Sequence, residues 1–211
     1  MPSVYDLKPR FQALLRPLIR VLAAAGVTAN AVTLAALAGS LGVGALLLVW
    51  HSRWALLAIP VWLFVRMALN AIDGMMAREL GMASRLGAVL NELGDVLSDL
   101  ALYLPLAALA PPAAWAVVAF AFGAVLAELA GILAQALGDR RRYEGPMGKS
   151  DRAALVGVLA VATVVRPALG RWWTWVFAIA AALAAVTCWN RLRVAARAFE
   201  TPSAAGGRDG S

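Results

Sequence analysis

Cysteine, histidine and charged residues are scarce in this sequence, and each scarcity excludes a class of protein or site. The 211 residues include one cysteine and one histidine. A single cysteine excludes an internal disulfide and a CxxC metal site, and a single histidine excludes a zinc or haem site built on a histidine pair. Charged residues make up 15% of the chain, whereas they make up about a quarter of a soluble domain.

Long apolar runs replace the missing charge. Hydrophobic residues make up 62% of the chain, and a helix needs about 20 mostly apolar residues to cross a bilayer. Six transmembrane helices are predicted, at about 30–50, 54–78, 84–110, 113–137, 151–165 and 171–194. We therefore expect an all-α polytopic membrane protein, folded as a single domain over residues 1–200. The Gly-, Ser- and Ala-rich tail over 201–211 is expected to be disordered.

A further helix is predicted before the first span. Within residues 5–25, apolar side chains such as Leu14, Leu18 and Leu22 recur at helical spacing, and basic residues fill positions between them. This pattern is typical of an amphipathic, interfacial helix that lies on a membrane surface. Pro17 predicts a kink or a break within this helix.

Basic residues are distributed unequally between the two ends of the predicted spans. Fourteen Lys and Arg residues lie at one end, against Arg53, Arg166 and Arg171 at the other. The excess of basic residues predicts that the first end, with both termini, faces the cytoplasm. The formal net charge of +7 is then explained by topology and by contact with anionic membrane lipids, so it does not indicate a nucleic-acid partner.

Acidic and amide side chains recur at helical spacing around the turn between the second and third spans. We call them the polar layer: Asn70, Asp73, Asn91, Asp95 and Asp99. Members on the same span are three or four residues apart and therefore share one helical face. Counting back from the turn places Asp73 level with Asn91, and Asn70 level with Asp95. Their oxygens suit a hard cation such as Mg²⁺, Mn²⁺ or Ca²⁺.

Ionisable side chains inside a membrane are costly, so the polar layer indicates function. Glycines at 74, 81, 87 and 94 accompany it and leave room for a ligand or for close helix packing. Packing between small residues explains the glycines. It does not explain three aspartates.

The residues around the turn resemble a known family signature. Asp73-Gly74-x-x-Ala77-Arg78, eight residues, Gly87, three residues, Asn91, three residues and Asp95 resemble the signature of the CDP-alcohol phosphatidyltransferases. That signature reads D-x-x-D-G-x-x-A-R, eight residues, G-x-x-x-D-x-x-x-D. The six-helix layout, the amphipathic leader and the T-A-N-A-V-T sequence that opens the first span are also similar to this family.

The resemblance implies a role for each matching residue. Asp73 and Asp95 would be metal ligands, and Asp95 would also be the catalytic base. Asn70 and Asn91 stand where the family has aspartates, so they would be neutral ligands only. Two negative charges are thereby lost, which favours one metal ion or weaker binding over a two-metal site. The residues implied to bind CDP are Gly74, Ala77, Arg78 and Gly87.

The activity implied is transfer of a phosphatidyl group from a CDP-linked lipid, with CDP-diacylglycerol expected, to a small alcohol or polyol phosphate, with release of CMP. Mg²⁺ or Mn²⁺ would be the cofactor, and the site would face the cytoplasm at the bacterial inner membrane. Members of this family often form homodimers, so the resemblance allows a homodimer here.

Three basic residues are candidates for binding the acceptor. Lys149 and Arg152 lie in a loop similar to those that hold acceptor headgroups in the family, although topology alone would also explain them. Arg66, one turn before Asn70, either forms an ion pair, with Glu128 of the fourth span as the candidate partner, or binds an acceptor phosphate.

Two other functions are consistent with parts of the pattern. The asparagines allow a catalytically weakened member of the family that binds lipid or nucleotide without turnover. The acidic residues allow a transporter, although an ion path would place its carboxylates near the bilayer midplane rather than toward one side.

Overall fold

Helices account for most of the described chain. The structure is a computed structural model that describes the backbone of residues 4–50, 52–137, 141–142 and 144–200, and the side chains among these from 11 to 197. In these ranges the α-helices are α1 (Val4–Ala24), α2 (Ala29–Val49), α3 (Ala58–Glu79), α4 (Arg85–Tyr103), α5 (Pro105–Leu109), α6 (Ala114–Ala136), α7 (Lys149–Val165) and α8 (Trp173–Glu200). Short 3₁₀ turns occupy Arg53–Leu57, Pro111–Ala113 and Pro167–Trp172. The tail over 201–211 lies outside the described residues.

The all-α class is confirmed for the described residues, and one helix coincides with each predicted span except the third. The span predicted over 84–110 is divided at Leu104 into α4 and α5, next to Pro105, which begins α5. Within the described residues, four segments are long and apolar enough to cross a membrane: Ala29–Val49, Arg53–Glu79, Pro111–Ala136 and Pro167–Arg197. The helix α4 carries most of the polar layer, and α7 has only 17 residues, so both are weaker candidates by length or composition. The number of six membrane spans therefore stays a prediction.

The chain folds into two compact units, and α7 contributes to both. The first comprises Met1–Pro111 with Val156–Gly170, and the second comprises Pro112–Leu155 with Arg171–Ser211. In the first unit, α2 packs against α3, α4 and α5, and α1 packs against α3. A Cβ atom on Gly44 would overlap the carbonyl oxygen of Ala101, so glycine allows the backbones of α2 and α4 to touch.

The amphipathic helix α1 is attached to α3 through its apolar face. Leu15 and Ile19 are buried in a cluster with Met75 and Met76 of α3, and burial of such side chains stabilises the contact by about 1.5–3 kcal/mol each. Pro17 does not end the helix, which runs unbroken from Val4 to Ala24; the predicted break is wrong. The position of α1 at a membrane surface stays a prediction.

The second unit is built on the pair α6 and α8. A Cβ atom on Gly123 would lie 3.0 Å from the Cβ of Ala184, which shows how closely the small residues let the two helices approach. The rings of Phe120 and Phe177 pack with their centroids 5.4 Å apart. This contact fixes the first turns of both helices.

A tight turn places the end of α3 beside the start of α4. Gly81 has φ +67°, a conformation that glycine adopts without steric cost. Ser84 then caps α4 by accepting a hydrogen bond from the N–H of Gly87 at 2.9 Å. The turn lies where the sequence predicted it, so the two halves of the signature lie on adjacent helices.

Candidate functional site

Arg66 of α3 is buried against the polar face of α4. Its Nη1 donates to Oδ1 of Asp99 at 2.6 Å, and its Nη2 donates to the backbone carbonyl of Asp95 at 3.0 Å and to Oδ1 of Asp95 at 3.2 Å. The Arg66 side chain is 4% exposed, and a buried charge is stable only when it is paired in this way. An ion pair of Arg66 is confirmed, but the predicted partner is wrong: Arg66 pairs with Asp95 and Asp99, whereas Glu128 pairs with Arg152. Binding of an acceptor phosphate by Arg66 stays a prediction.

Asn70 joins the same group one turn further along α3. Its amide nitrogen donates to Oδ1 of Asp95 at 3.2 Å. The sequence prediction that Asn70 and Asp95 lie at one level is therefore confirmed. Oδ1 of Asp95 thus accepts from two donors, a guanidinium and an amide, both supplied by α3. These bonds fix the orientation of the carboxylate predicted to be the base.

Asp73 lies on the side of the site that contacts α2. It is buried, and its Oδ2 accepts a hydrogen bond from the hydroxyl of Thr33 at 3.0 Å. The carbonyl oxygen of Ala29, 3.2 Å from the same hydroxyl, is its alternative acceptor. The third signature position, Asn91, is half-buried on α4, one turn before Asp95. Its predicted level with Asp73 stays a prediction.

The residues predicted to bind CDP lie on both sides of the turn. A Cβ on Gly74 would lie 3.1 Å from both terminal nitrogens of Arg78, so the guanidinium folds back over this glycine. A Cβ on Gly87 would lie 2.6 Å from Oδ1 of Asn30 on α2, so this side chain covers the start of α4. Ala77 packs against the cluster shared by α1, α2 and α3. Glycine thus leaves room for a side-chain amide and a guanidinium beside the polar layer.

The donor set fits one divalent cation better than two. Among the described residues, no group of three or more His, Cys, Asp or Glu side chains could hold a metal ion. Two carboxylates at the signature positions, Asp73 and Asp95, are supplemented by the amides of Asn70 and Asn91. Oxygen atoms of these types suit Mg²⁺ or Mn²⁺. Two carboxylates would neutralise a pair of ions about 3.5–4 Å apart less completely than the four aspartates of the family signature would.

The other two acceptor candidates lie in the second unit, at the start of α7. Lys149 is half-buried at the first residue of the helix, and Arg152 is fully buried. Arg152 donates to Oε1 of Glu128 at 2.7 Å and to the carbonyl of Met147 at 3.2 Å. Its guanidinium is therefore used to hold the loop before α7 against α6.

Glu128 is the centre of a cluster of arginines in this unit. Besides Arg152, its carboxylate accepts a hydrogen bond from Arg141 at 3.3 Å, and Nη1 of Arg191 lies 4.0 Å away. Arg191 itself donates to the carbonyls of Ala127 at 2.6 Å and of Glu144 at 3.1 Å. The cluster joins α6, α8 and the loop between α6 and α7.

Sequence reasoning missed the contribution of α2 to the site. Asn30 and Thr33 both belong to the T-A-N-A-V-T sequence that is similar to the family, but neither was assigned a role in the site. Their spacing of three residues places both on one face of α2. That spacing is the signal that could have identified them.

Comparison with known proteins places this architecture in a family. The model of the CDP-alcohol phosphatidyltransferase family matches residues 26–186. The chain is 47% identical over 191 residues to the inner membrane protein YnbA of Escherichia coli strain K12, covering 90% of this chain and 95% of that protein.

Solved structures share the fold. The phosphatidylinositol phosphate synthase PgsA1 of Mycobacterium tuberculosis with CDP-DAG bound superposes with a TM-score of 0.74 at 22% identity, covering 92% of this chain and 97% of that one. The same enzyme with manganese and citrate gives a TM-score of 0.74 at 23% identity, covering 92% of each chain. The family match, together with the YnbA relative, decides the assignment: the chain belongs to the CDP-alcohol phosphatidyltransferase family.

Proposed function

We propose that this protein transfers a phosphatidyl group from CDP-diacylglycerol to a small alcohol or polyol phosphate, releasing CMP, as a step of phospholipid biosynthesis. The observation that carries the proposal is the contact between α3 and α4, in which Arg66 and Asn70 hold Asp95 in one orientation. This contact lies within a chain that belongs to a family of such transferases. The fold is shared with an enzyme whose structure contains CDP-DAG.

The proposed location is the bacterial inner membrane, with both termini and the polar layer toward the cytoplasm. The relative YnbA is named an inner membrane protein, and four segments of this chain are long and apolar enough to cross a membrane. The orientation follows from the excess of basic residues at one end of the helices.

One divalent cation, Mg²⁺ or Mn²⁺, would be held by Asp73, Asp95 and the amide oxygens of Asn70 and Asn91. When bound, it neutralises the donor diphosphate and stabilises the CMP leaving group. The exposed guanidinium of Arg78 pairs with the same phosphates through charge-assisted hydrogen bonds.

Asp95 takes the proton from the acceptor hydroxyl, and the hydroxyl oxygen then bonds to the phosphorus that carries the lipid. The bond from that phosphorus to the CMP oxygen breaks in the same displacement. A carboxylate held in one orientation is suited to this role, because positioning supplies much of the catalysis in phosphoryl transfer. Lys149 is the proposed ligand of the acceptor phosphate, where there is one, because the guanidinium of Arg152 is already bound by Glu128 and by the carbonyl of Met147.

The test is CMP release by the purified protein. Radiolabelled CDP-diacylglycerol and CDP-aminoalcohols are each offered with a panel of acceptors that includes glycerol phosphate, inositol phosphate, serine and choline. Mg²⁺, Mn²⁺ and EDTA are compared. We expect cation-dependent CMP release with CDP-diacylglycerol and at least one acceptor. Bound donor without CMP release for any acceptor would contradict the proposal.

A second candidate is a weakened family member that binds CDP-lipid or nucleotide without turnover. It is favoured by the two asparagines and by the lack of any group of three metal-binding side chains among the described residues. In that case Asn70→Asp combined with Asn91→Asp would create CMP release that the natural chain lacks. Turnover by the natural chain would exclude this candidate.

A further inference from the structure

The positively charged guanidinium of Arg66 contacts the polar layer, where a metal cation is expected to bind. Arg66 contacts three oxygens of α4: Oδ1 of Asp99 at 2.6 Å, the carbonyl of Asp95 at 3.0 Å and Oδ1 of Asp95 at 3.2 Å. It is therefore in direct contact with the predicted base. A planar guanidinium with several N–H donors is well suited to bridge two carboxylates in this way.

Asn70 strengthens the same arrangement. Its amide nitrogen donates to the Oδ1 atom of Asp95 that also receives the guanidinium. An aspartate at position 70 would instead bring two carboxylate oxygens together, and a cation would be needed between them. In this chain an N–H group already fills that position, so the contact between Asn70 and Asp95 needs no metal ion.

The net charge of the polar layer agrees with a guanidinium that takes the place of a second metal ion. Its three carboxylates, those of Asp73, Asp95 and Asp99, carry three negative charges, and Arg66 carries one positive charge. The sum is minus two, which one divalent cation balances. Without the guanidinium the layer would carry minus three, and with aspartate at position 70 as well it would carry minus four, which two divalent cations would balance.

We propose that Arg66 is a positioning residue that supplies a fixed positive charge to the polar layer, so that the site binds one divalent cation rather than two. It holds Asp95 in place through the side chain and the backbone carbonyl, and it neutralises Asp99. The inference rests on the proposed function only in treating the polar layer as the cation site.

The number of bound ions tests this directly, without a substrate. Purified protein in detergent is freed of metal with a chelator and titrated with Mn²⁺, and the EPR signal of free Mn²⁺ gives the number bound per chain. We expect one ion for the natural chain and two for Arg66→Gln combined with Asn70→Asp. Asn70→Asp alone keeps the guanidinium and should still bind one.

Arg191→Gln is the matched control, because Arg191 is an equally buried arginine, 2% exposed, that lies in the second unit. Its count should stay at one. A count of one in the monodisperse double variant, or of two in the natural chain, would overturn the inference. If the double variant does not fold, the natural chain and Arg66→Lys decide. The lysine variant should bind one ion, with kcat reduced more than tenfold and KM for Mn²⁺ changed less than threefold.

The ion count and the transferase assay fail independently. A natural chain that binds one ion and releases no CMP would remove the proposed function, and a second ion bound by its double variant would still support the role of Arg66. A natural chain that is active with two bound ions would do the reverse.

Discussion

The carboxylate of Glu128 stabilises several buried arginines of the second unit, and its removal should destabilise the fold strongly. Arg152 donates to it at 2.7 Å and Arg141 at 3.3 Å, and Arg191 lies 4.0 Å away. The Arg152 side chain is 0% exposed and that of Glu128 is 9% exposed. Glu128→Gln keeps the shape of the side chain and removes its charge. The buried guanidinium groups then lack the negative charge of Glu128 beside them.

The expected loss is large because the partners stay buried. Removing one member of a buried ion pair costs about 3–5 kcal/mol. For a chain of this length, such a loss lowers the apparent melting temperature by roughly 6–20 °C. Glu144→Gln is the matched control, because Glu144 pairs with Arg142 at 3.3 Å with a side chain that is 54% exposed. An exposed pair contributes about 0–1 kcal/mol, so this variant should melt within roughly 4 °C of the natural chain.

The assay is thermal unfolding in one detergent at one scan rate, followed by the fluorescence of the eight tryptophans. Glu128→Asp provides a further comparison, since it keeps the charge and shortens the side chain, and should lie between the natural chain and Glu128→Gln. A loss for Glu128→Gln no larger than that for Glu144→Gln would refute the reasoning. It would mean that the arginines do not depend on this carboxylate for their charge compensation.

Three further substitutions test the polar layer. Asp73→Asn should reduce CMP release by more than about 100-fold at saturating Mn²⁺, since losing even a group that only supports a metal ligand can lower activity by up to that factor. Asp151→Asn, at an exposed residue of α7, is the control, and equal activity of the two variants would contradict the assignment of Asp73 as a metal ligand. Thr33→Val removes the hydroxyl that donates to Asp73 at 3.0 Å and should weaken Mn²⁺ binding about tenfold. Thr33→Ser keeps a hydroxyl and should not; equal Mn²⁺ affinities of the two variants would show that the hydroxyl does not support Asp73. Gly87→Ala places a Cβ 2.6 Å from Oδ1 of Asn30 and should raise KM for CDP-diacylglycerol several-fold. An unchanged KM would show that the donor does not need the space beside this glycine.

The family and the main helices were accessible from the sequence because both depend on local patterns. The apolar runs predicted where the long helices lie, although α4 ends seven residues before the predicted end of its span and α8 continues six residues beyond. The turn between α3 and α4 lies where Gly81 and Ser84 allow it. Helical spacing placed Asn70 level with Asp95, which the hydrogen bond at 3.2 Å confirms. Pro17 was predicted to kink or break α1, but the helix continues through it. Leu15 and Ile19, on either side of Pro17, are both buried in the cluster with α3, so packing holds the helix before and after the proline.

Contacts between helices distant in sequence could not be predicted from the pattern. Thr33 reaches Asp73 across 40 residues of sequence, and Arg152 reaches Glu128 across 24. Nothing in the local sequence of Arg66 showed whether it would meet a carboxylate or an acceptor phosphate.

Residue types and their helical positions follow from the amino-acid sequence alone, and with them the all-α class, the family signature and the loss of two carboxylates from it. The position of the Arg66 guanidinium against Asp95 and Asp99 became known from the packing of the helices. A buried charge is stable only beside its counter-charge, and the identity of that counter-charge depends on how neighbouring helices pack.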